Sequence, residues 1–242
     1  MKVIAIIPSR YESKRFPGKA LVDIQGKTMI QRVYEQAQKS SLIDEVYVAT
    51  DSDAIRDAIE KTGGKVIMTS GRCSSGTDRV AQAADSLAIT EEDIVVNIQG
   101  DQPFLQPACL NDLVENFQGI PDASMGTLAY VIEDDEEIDN PNNVKVIFDT
   151  DNFAIYFSRA RIPYNRDLSP DARYHKHIGI YVYRNAFLQK FTKLPFSLLE
   201  NIEKLEQLRV IECGHRIQVT VTEYDSPSID DPADIAAFTS SA

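Results

Sequence analysis

Val3-Ile-Ala-Ile-Ile-Pro-Ser-Arg-Tyr-Glu-Ser-Lys-Arg-Phe-Pro-Gly-Lys19 is the stretch from which the fold is read. Its first five residues form an unbroken apolar run, the pattern of a strand buried on both faces in a parallel sheet. The next twelve carry Arg10, Lys14, Arg15 and Lys19, in a chain whose formal net charge is −12. A basic loop leaving the carboxyl end of a central strand lies where open α/β sheets bind ligands. Cations gathered there against the charge of the whole chain imply a polyanion, most simply a nucleoside triphosphate. The alternative is a solvated charged loop. Pro17-Gly18 favours a shaped one, because Pro sets φ and Gly admits close backbone approach.

Outward from this stretch the pattern alternates. Met29, Ile30, Val33, Tyr34 and Ala37 fall at helical spacing, and Val46–Thr50 reads as a strand. A helix over Asp53–Thr62 stops at Gly63-Gly64, and a short strand follows over Lys65–Met68. Further helices are predicted from about Asp78 and over Pro107–Phe117, with a buried strand at Ile94–Ile98 between them. This β-α-β-α-β-α-β order predicts an α/β fold with a mostly parallel central sheet and helices on both faces. From about Met125, strand-like runs at 125–132, 144–149, 153–158 and 177–183 predict a smaller antiparallel lobe extending the sheet. Two helices come next, the second from about Ser197 to Glu212 with Leu198, Ile202, Leu205 and Leu208 on one face. A strand at Ile217–Val221 and a short terminal helix complete the order, and Glu133–Glu137 reads as a solvated loop. One domain over 1–242 is expected, with a nucleotide-binding half over about 1–120 and a sugar-binding and dimerisation part over about 121–242.

Composition excludes several classes. The acidic balance argues against non-specific nucleic-acid binding, which needs a basic surface. No apolar stretch approaches the roughly 20 residues that cross a bilayer, and no signal-peptide pattern opens the chain. Cys73, Cys109 and Cys213 are odd in number and widely spaced, which suits a reducing cytoplasm. Gly26-Lys27-Thr28 resembles the end of a P-loop, but Leu21 stands where the upstream glycine belongs. No G-x-G-x-x-G follows the first strand, which removes the phosphate turn of an NAD-dependent oxidoreductase. His175 and His177 form an H-x-H without a third imidazole nearby, weak support for a transition metal.

What remains is a phosphate loop with carboxylates at strand ends. Asn97-Ile-Gln-Gly-Asp-Gln-Pro103 closes a hydrophobic strand and aims Asp101 at the same crevice, where it could hold Mg²⁺ or simply end the strand. Ser70-Gly-Arg-Cys-Ser-Ser-Gly-Thr-Asp-Arg79 offers backbone N–H groups to a base or ribose, or an N-capped turn. Ile229-Asp-Asp-Pro232 offers a late carboxylate, Asp230, or a helix cap.

Together these segments resemble the 3-deoxy-manno-octulosonate cytidylyltransferases, also called CMP-Kdo synthetases. The likeness spans essentially the whole chain. It rests on Ile6–Arg10, Phe16–Lys19, Ser75–Arg79, Asn97–Pro103, Tyr156–Arg159, His177–Tyr181, Leu205–Arg209 and Ile229–Pro232. The resemblance implies the nucleotide-diphospho-sugar transferase type of sheet, a homodimer, and CTP + Kdo → CMP-Kdo + pyrophosphate for lipopolysaccharide synthesis. It implies that Arg10 and Lys19 grip the triphosphate, and that Pro8, Arg72 and Ser75 line the cytidine pocket. Gln99 would stand at the junction of nucleotide and sugar, and Asp101 and Asp230 would hold Mg²⁺. Arg159, His177, Tyr181, Glu206 and Gln207 would surround the acidic eight-carbon sugar.

The chain also departs from that pattern. Gln102 replaces a common Glu and is not counted as a metal ligand, Asp-Asp stands where Asp-Thr is usual at 230–231, and the 166–174 connection is short. An 8-amino analogue of Kdo is the nearest alternative substrate, followed by another ulosonic acid. A catalytically silent nucleotide-binding protein on the same fold is the alternative from another class. The apolar residues Met125, Leu128, Ile147, Phe153, Ile155 and Phe157 are expected to supply part of the two-fold contact.

Overall fold

Strand β1 (Val3–Ser9) is hydrogen-bonded on both sides and its apolar residues are fully buried, as the opening run requires. Its side chains alternate between two cores, as the pleat of a strand dictates. Val3, Ala5 and Ile7 join one cluster, and Ile4 and Ile6 join another on the opposite face. The structure is a computed structural model that describes residues 1–12, 16–229 and 231–239, the last four of these by their backbone only.

After β1 the chain makes a small hairpin, β2 (Asp23–Ile24) and β3 (Lys27–Thr28), which leads into α1 (Met29–Gln38). Thr28 and Gln31 form a capping box there, and Met29, Ile30, Val33, Tyr34 and Ala37 are buried, as their spacing predicts. Then come β4 (Glu45–Thr50), α2 (Asp53–Glu60), β5 (Val66–Met68), α3 (Gly76–Asp85), β6 (Ile94–Asn97) and α4 (Pro107–Gln118). β5, β4, β1 and β6 lie side by side and all parallel. Helices α1 and α4 cover the first core, and α3 covers the second.

The second half adds β7 (Met125–Ile132), α5 (Asp135–Asp139), β8 (Lys145–Phe148), β9 (Ala154–Ser158) and β10 (Tyr174–Arg184). Helices α6 (Asn185–Phe191), α7 (Leu198–Glu203) and α8 (Leu208–Glu212) precede β11 (Ile217–Thr222) and α9 (Pro232–Thr239). β10 runs antiparallel between β6 and β7, with a register shift between Ile178 and Tyr181. β8 and β9 hang from it as the antiparallel lobe, and β11 closes the far edge parallel to β7. Both halves therefore share one nine-stranded sheet. Among the described residues, no helix is long and apolar enough to cross a membrane.

Three expectations need correction. The helix read over Ser197–Glu212 is broken in two by Lys204, which adopts a left-handed backbone at φ 56°. Leu198 and Ile202 consequently point to solvent, while Leu205 and Leu208 are buried. The Glu133–Glu137 segment is exposed, as expected, yet from Asp135 onward it is helical, with Asp134 capping the backbone N–H groups of Glu136 and Glu137. Met125, Leu128, Phe153 and Phe157, expected at a two-fold contact, lie within this chain's own cores. Of the six residues named for that contact, Ile155 is the one that stands well clear, at 54% exposure.

Candidate active site

β1, β4 and β6 are parallel, so their carboxyl ends open on the same edge of the sheet. A cavity of about 300 Å³ lies there. Pro8, Arg10, Lys19, Ser75, Gln99 and Asp101 all line it, so six of the seven residues expected at the nucleotide come together. Lys14 and Arg15 fall outside the described residues.

Arg72, the seventh, is exposed and does not line this cavity. Arg79 occupies the wall instead, 4% exposed, with Nη1 donating to Thr69 Oγ1 at 2.5 Å and Nη2 to Asp51 Oδ2 at 3.1 Å. The reason is local. Ser75 caps α3 and accepts from Asp78 N, while Asp78 Oδ2 accepts from the N–H groups of Ser74 and Ser75. Helical geometry then turns the fourth residue of α3 inward and leaves Arg72 on the outer turn. Ser75 and Gly76 also present the α3 N-terminus to the cavity, where its partial positive charge suits a phosphate or ribose oxygen.

Gly18 has φ 74°, a conformation that sterics deny most residues, and its N–H donates to Tyr11 O. That turn swings Lys19 back over the crevice, where Nζ lies 3.0 Å from Asp101 Oδ2. Asp101 is delivered by Gly100, at which a Cβ would lie 3.1 Å from Pro8 O. The two loops therefore meet backbone to backbone. The late segment arrives at the same point, because Ile229 N–H donates to Asp101 O at 2.9 Å and the Ile229 side chain is buried with Ile24 and Met29. Asp230, the next residue, is outside the described residues. Among the described residues no group of three His, Cys, Asp or Glu could hold a metal ion. Asp101 is the described member of the expected carboxylate pair, and carboxylate oxygens are the donors a hard divalent cation prefers.

Of the residues expected at the sugar, Gln99 and His177 line a second cavity beside the first, while Arg159, Tyr181, Glu206 and Gln207 line neither. Gln99 Nε2 donates to Gly179 O at 2.9 Å, which ties the segment after β6 to β10. The His177 ring packs on Phe157 and Tyr181, at centroid distances of 4.9 and 5.5 Å, and its Nε2 lies 3.0 Å from the Thr127 hydroxyl. Glu206 Oε2 accepts from Thr77 Oγ1 at 2.5 Å, two residues beyond the Ser75 cap. Gln207 is 3% exposed, and its Nε2 has no partner among the described residues. A buried donor left unmet is a group aimed at a ligand or a water. Arg159 donates from Nε to Glu203 O and from Nη1 to Pro141 O.

Burial tunes these groups. It pushes the His177 imidazole down to about 3 and raises the Tyr181 phenol. It also raises the Glu206 carboxyl, against the lowering pull of the Thr77 and Ser75 hydroxyls and Arg209. His177 is therefore neutral across the working range and serves as a hydrogen-bonding group rather than a cation. An NMR titration should show no His177 midpoint between pH 5 and 8. A midpoint near the ordinary 6.5 would mean that water reaches the ring freely.

The second cavity, about 810 Å³, opens on the other side of Gln99 and Asp101, which line both. His177 and Gly179 belong to its wall, as do Lys176 and Asp225, paired at 2.6 Å. Arg79, Thr77 and Lys176 were not singled out from the sequence. For Arg79 the signal existed, four residues after a Ser cap; Lys176, between two histidines, reads as an ordinary solvated cation.

The chain matches the protein family described as cytidylyltransferase over residues 4–217. It is 51% identical to the 3-deoxy-manno-octulosonate cytidylyltransferase of Desulfosudis oleivorans, over 97% of this chain and 95% of that one. It is 49% identical to the 8-amino-3,8-dideoxy-manno-octulosonate cytidylyltransferase of Shewanella piezotolerans, over 97% and 96%. Among solved structures, a CMP:2-keto-3-deoxy-manno-octonic acid synthetase in complex with CTP superposes with a TM-score of 0.93 at 39% identity, covering 100% of both chains.

Proposed function

The chain belongs to the cytidylyltransferase family and is a nucleotidyltransferase, and from that premise we propose that it activates 3-deoxy-manno-octulosonate with CTP. The observation that carries this reading is the sharing of Gln99 and Asp101 by two adjoining cavities. A carboxylate and an amide at the seam stand where the α-phosphate of one substrate would meet the hydroxyl of the other.

In this reading Arg10 and Lys19 neutralise the triphosphate, while Pro8, Ser75 and the α3 N-terminus hold the nucleoside. Arg79 takes the wall place first expected of Arg72. The sugar lies against Gln99, His177, Tyr181, Glu206 and Gln207, with its carboxylate toward the planar fork of Arg159. The anomeric oxygen forms a bond to the α-phosphorus as the bond to the β-phosphate oxygen breaks. Pyrophosphate leaves with the electron pair, and the proton of the sugar hydroxyl passes to water. Positioning and charge neutralisation supply most of such an acceleration. Mg²⁺ is the expected cofactor, held by Asp101 with Asp230; when bound it would lower the charge on the phosphates and the pKa of a coordinated hydroxyl.

The first half of the chain, about 1–120, then serves the nucleotide, and the rest serves the sugar and assembly. A cytoplasmic homodimer feeding lipopolysaccharide synthesis completes the reading. Exposed apolar side chains on neighbouring elements, Ile155 on β9 and Leu198 and Ile202 on α7, are its candidate contact. Sedimentation should give about twice the 27.1 kDa of one chain, and a mass near one chain at micromolar concentration would count against it.

The 8-amino sugar is the second reading. A relative named for it matches nearly as well, and Glu136, Glu137 and Asp234 line the second cavity, a setting that favours an ammonium. One assay separates these possibilities: pyrophosphate release with each nucleotide, Mg²⁺ and each sugar. CTP should exceed ATP and GTP by at least about 10²-fold, because a pocket built to hydrogen-bond one base leaves buried groups unpaired with another. Equal release from ATP and CTP would overturn the reading, and absence of release with every sugar would leave a silent nucleotide-binding protein.

A further inference from the structure

The groups that hold Arg159 lead back to two charged side chains. Lys145 starts β8 and is fully buried, and its ammonium enters a gap between three segments. It donates to Asn140 O at 3.0 Å, Asn143 O at 2.6 Å and Arg159 O at 2.7 Å, which uses all three of its N–H groups. Glu203 ends α7 and grips the same residue from the other side. Its Oε2 accepts from Arg159 N at 3.0 Å, its Oε1 from Ser158 Oγ at 2.6 Å, and its own carbonyl from Arg159 Nε at 2.8 Å. Arg159 Nη1 donates to Pro141 O at 2.9 Å, inside the very turn that Lys145 secures at Asn140 and Asn143. Among the described residues none accepts a hydrogen bond from Nη2.

An ammonium in this position is costly for the fold. Burial lowers its pKa, opposed by the carboxylates of Asp139 and Glu203. An apolar side chain of similar length would fill the same space without that desolvation. What the charge does here is join the 140–143 turn, three of whose residues line the second cavity, to the end of β9. Glu203 completes the hold: burial pushes its carboxyl up, but the Ser158 hydroxyl, the Arg159 amide and the Tyr156 hydroxyl more than offset this and keep it ionised.

We propose that Lys145 and Glu203 are positioning residues that preset the Arg159 guanidinium for the carboxylate of the sugar. Lys145 thereby governs sugar affinity through backbone carbonyls, without touching substrate. This rests on the proposed role of Arg159. A preset fork binds a carboxylate without first losing rotamer freedom; released from the Pro141 carbonyl and a fixed β9 end, it incurs that cost on every binding event.

The test is a cycle of Lys145→Met, Arg159→Ala and the double variant, with 3-deoxy-manno-octulosonate and CTP as substrates. Lys145→Met keeps the stem and removes the three donors. It should raise the KM for sugar on the order of tenfold and leave the KM for CTP nearly unchanged, while the melting temperature falls because three carbonyls lose their donor. The double variant should be no worse than Arg159→Ala alone, because Lys145 acts through Arg159. An unchanged sugar KM in Arg159→Ala would overturn the assignment of Arg159 itself. A large effect of Arg159→Ala beside no effect of Lys145→Met, or full additivity in the double, would overturn the positioning role and leave the assignment standing. If Lys145→Met fails to bind CTP by calorimetry, Glu203→Gln takes its place in the same cycle, with the same expected pattern and the same contrary results.

Discussion

Asp101→Asn and Lys19→Met are each expected to lower turnover by about 10²-fold or more, the scale seen when one preorganised electrostatic group is lost. Asp101 sits at the seam of the two cavities and Lys19, in the wall of the first, faces it at 3.0 Å. Stability should change little, since a third of the Asp101 side chain is open to water and such pairs contribute at most about 1 kcal/mol. Asp230→Asn is expected to behave like Asp101→Asn, because the two carboxylates are proposed to hold the same Mg²⁺ and Ile229, the neighbour of Asp230 in sequence, donates to Asp101 O. The Asp101/Asp230 double variant should be little worse than the poorer single, as for groups that act as a unit. Turnover across a Mg²⁺ titration, with thermal melts as the control, decides this. Full turnover by Asp101→Asn would remove it from the chemistry; full turnover by Asp230→Asn would make residue 230 a helix cap.

The largest loss of stability is expected at the pair that fixes the Glu206–Gln207 segment from behind. Arg209 and Glu200 are both buried and bonded twice, Nε to Oε2 at 2.8 Å and Nη2 to Oε1 at 2.5 Å. The guanidinium also lies over Phe196 and Phe191, at 4.5 and 5.3 Å from their centroids. This pair spans the break at Lys204 and holds α7 to α8, with Glu206 and Gln207 between them. Glu200→Leu leaves a guanidinium buried without its partner, which costs about 3–5 kcal/mol, a melting shift on the order of 10 °C at this chain length. Glu200→Leu/Arg209→Met should recover part of that loss, since both charges are then gone. Denaturant melts of the three variants check it, and a Glu200→Leu protein within 1 kcal/mol of the parent would show that water enters the pair.

What could be read in advance follows a physical line. β1 was legible because a central parallel strand needs both faces apolar, and Val3–Ile7 allows little else. The place of Arg10 and Lys19 in the cavity wall was legible because the charge of their loop opposes that of the chain and Pro17-Gly18 demands a shape. The break at Lys204 was not, because Leu198, Ile202, Leu205 and Leu208 keep helical spacing straight across it. Contacts formed after the chain folds back, the Arg209–Glu200 pair and Leu199 N–H to Glu212 Oε2 among them, tie α7 to α8 across the turn. Arg72 was the arginine expected at the pocket, but the Ser75 cap sets the helical phase that turns Arg79 inward instead. Lys145 was passed over for a general reason: a lysine is rarely buried, and the carbonyls that accept from it come from backbone that no composition reveals. The apolar residues of β7 and β9 looked surplus because α8 and β11, which cover them, had not been placed against them.

The most direct measurement follows phosphorus by NMR while the protein turns over CTP and 3-deoxy-manno-octulosonate with Mg²⁺. The predicted result is loss of all three triphosphate signals, matched by equal appearance of pyrophosphate and of a single phosphodiester joining cytidine to the sugar. Inorganic phosphate with CDP would place the broken bond at the γ-phosphate, and unchanged CTP in the presence of every acidic sugar would mean that no transfer occurs. Either outcome would contradict attack at the α-phosphorus across the seam of Gln99 and Asp101.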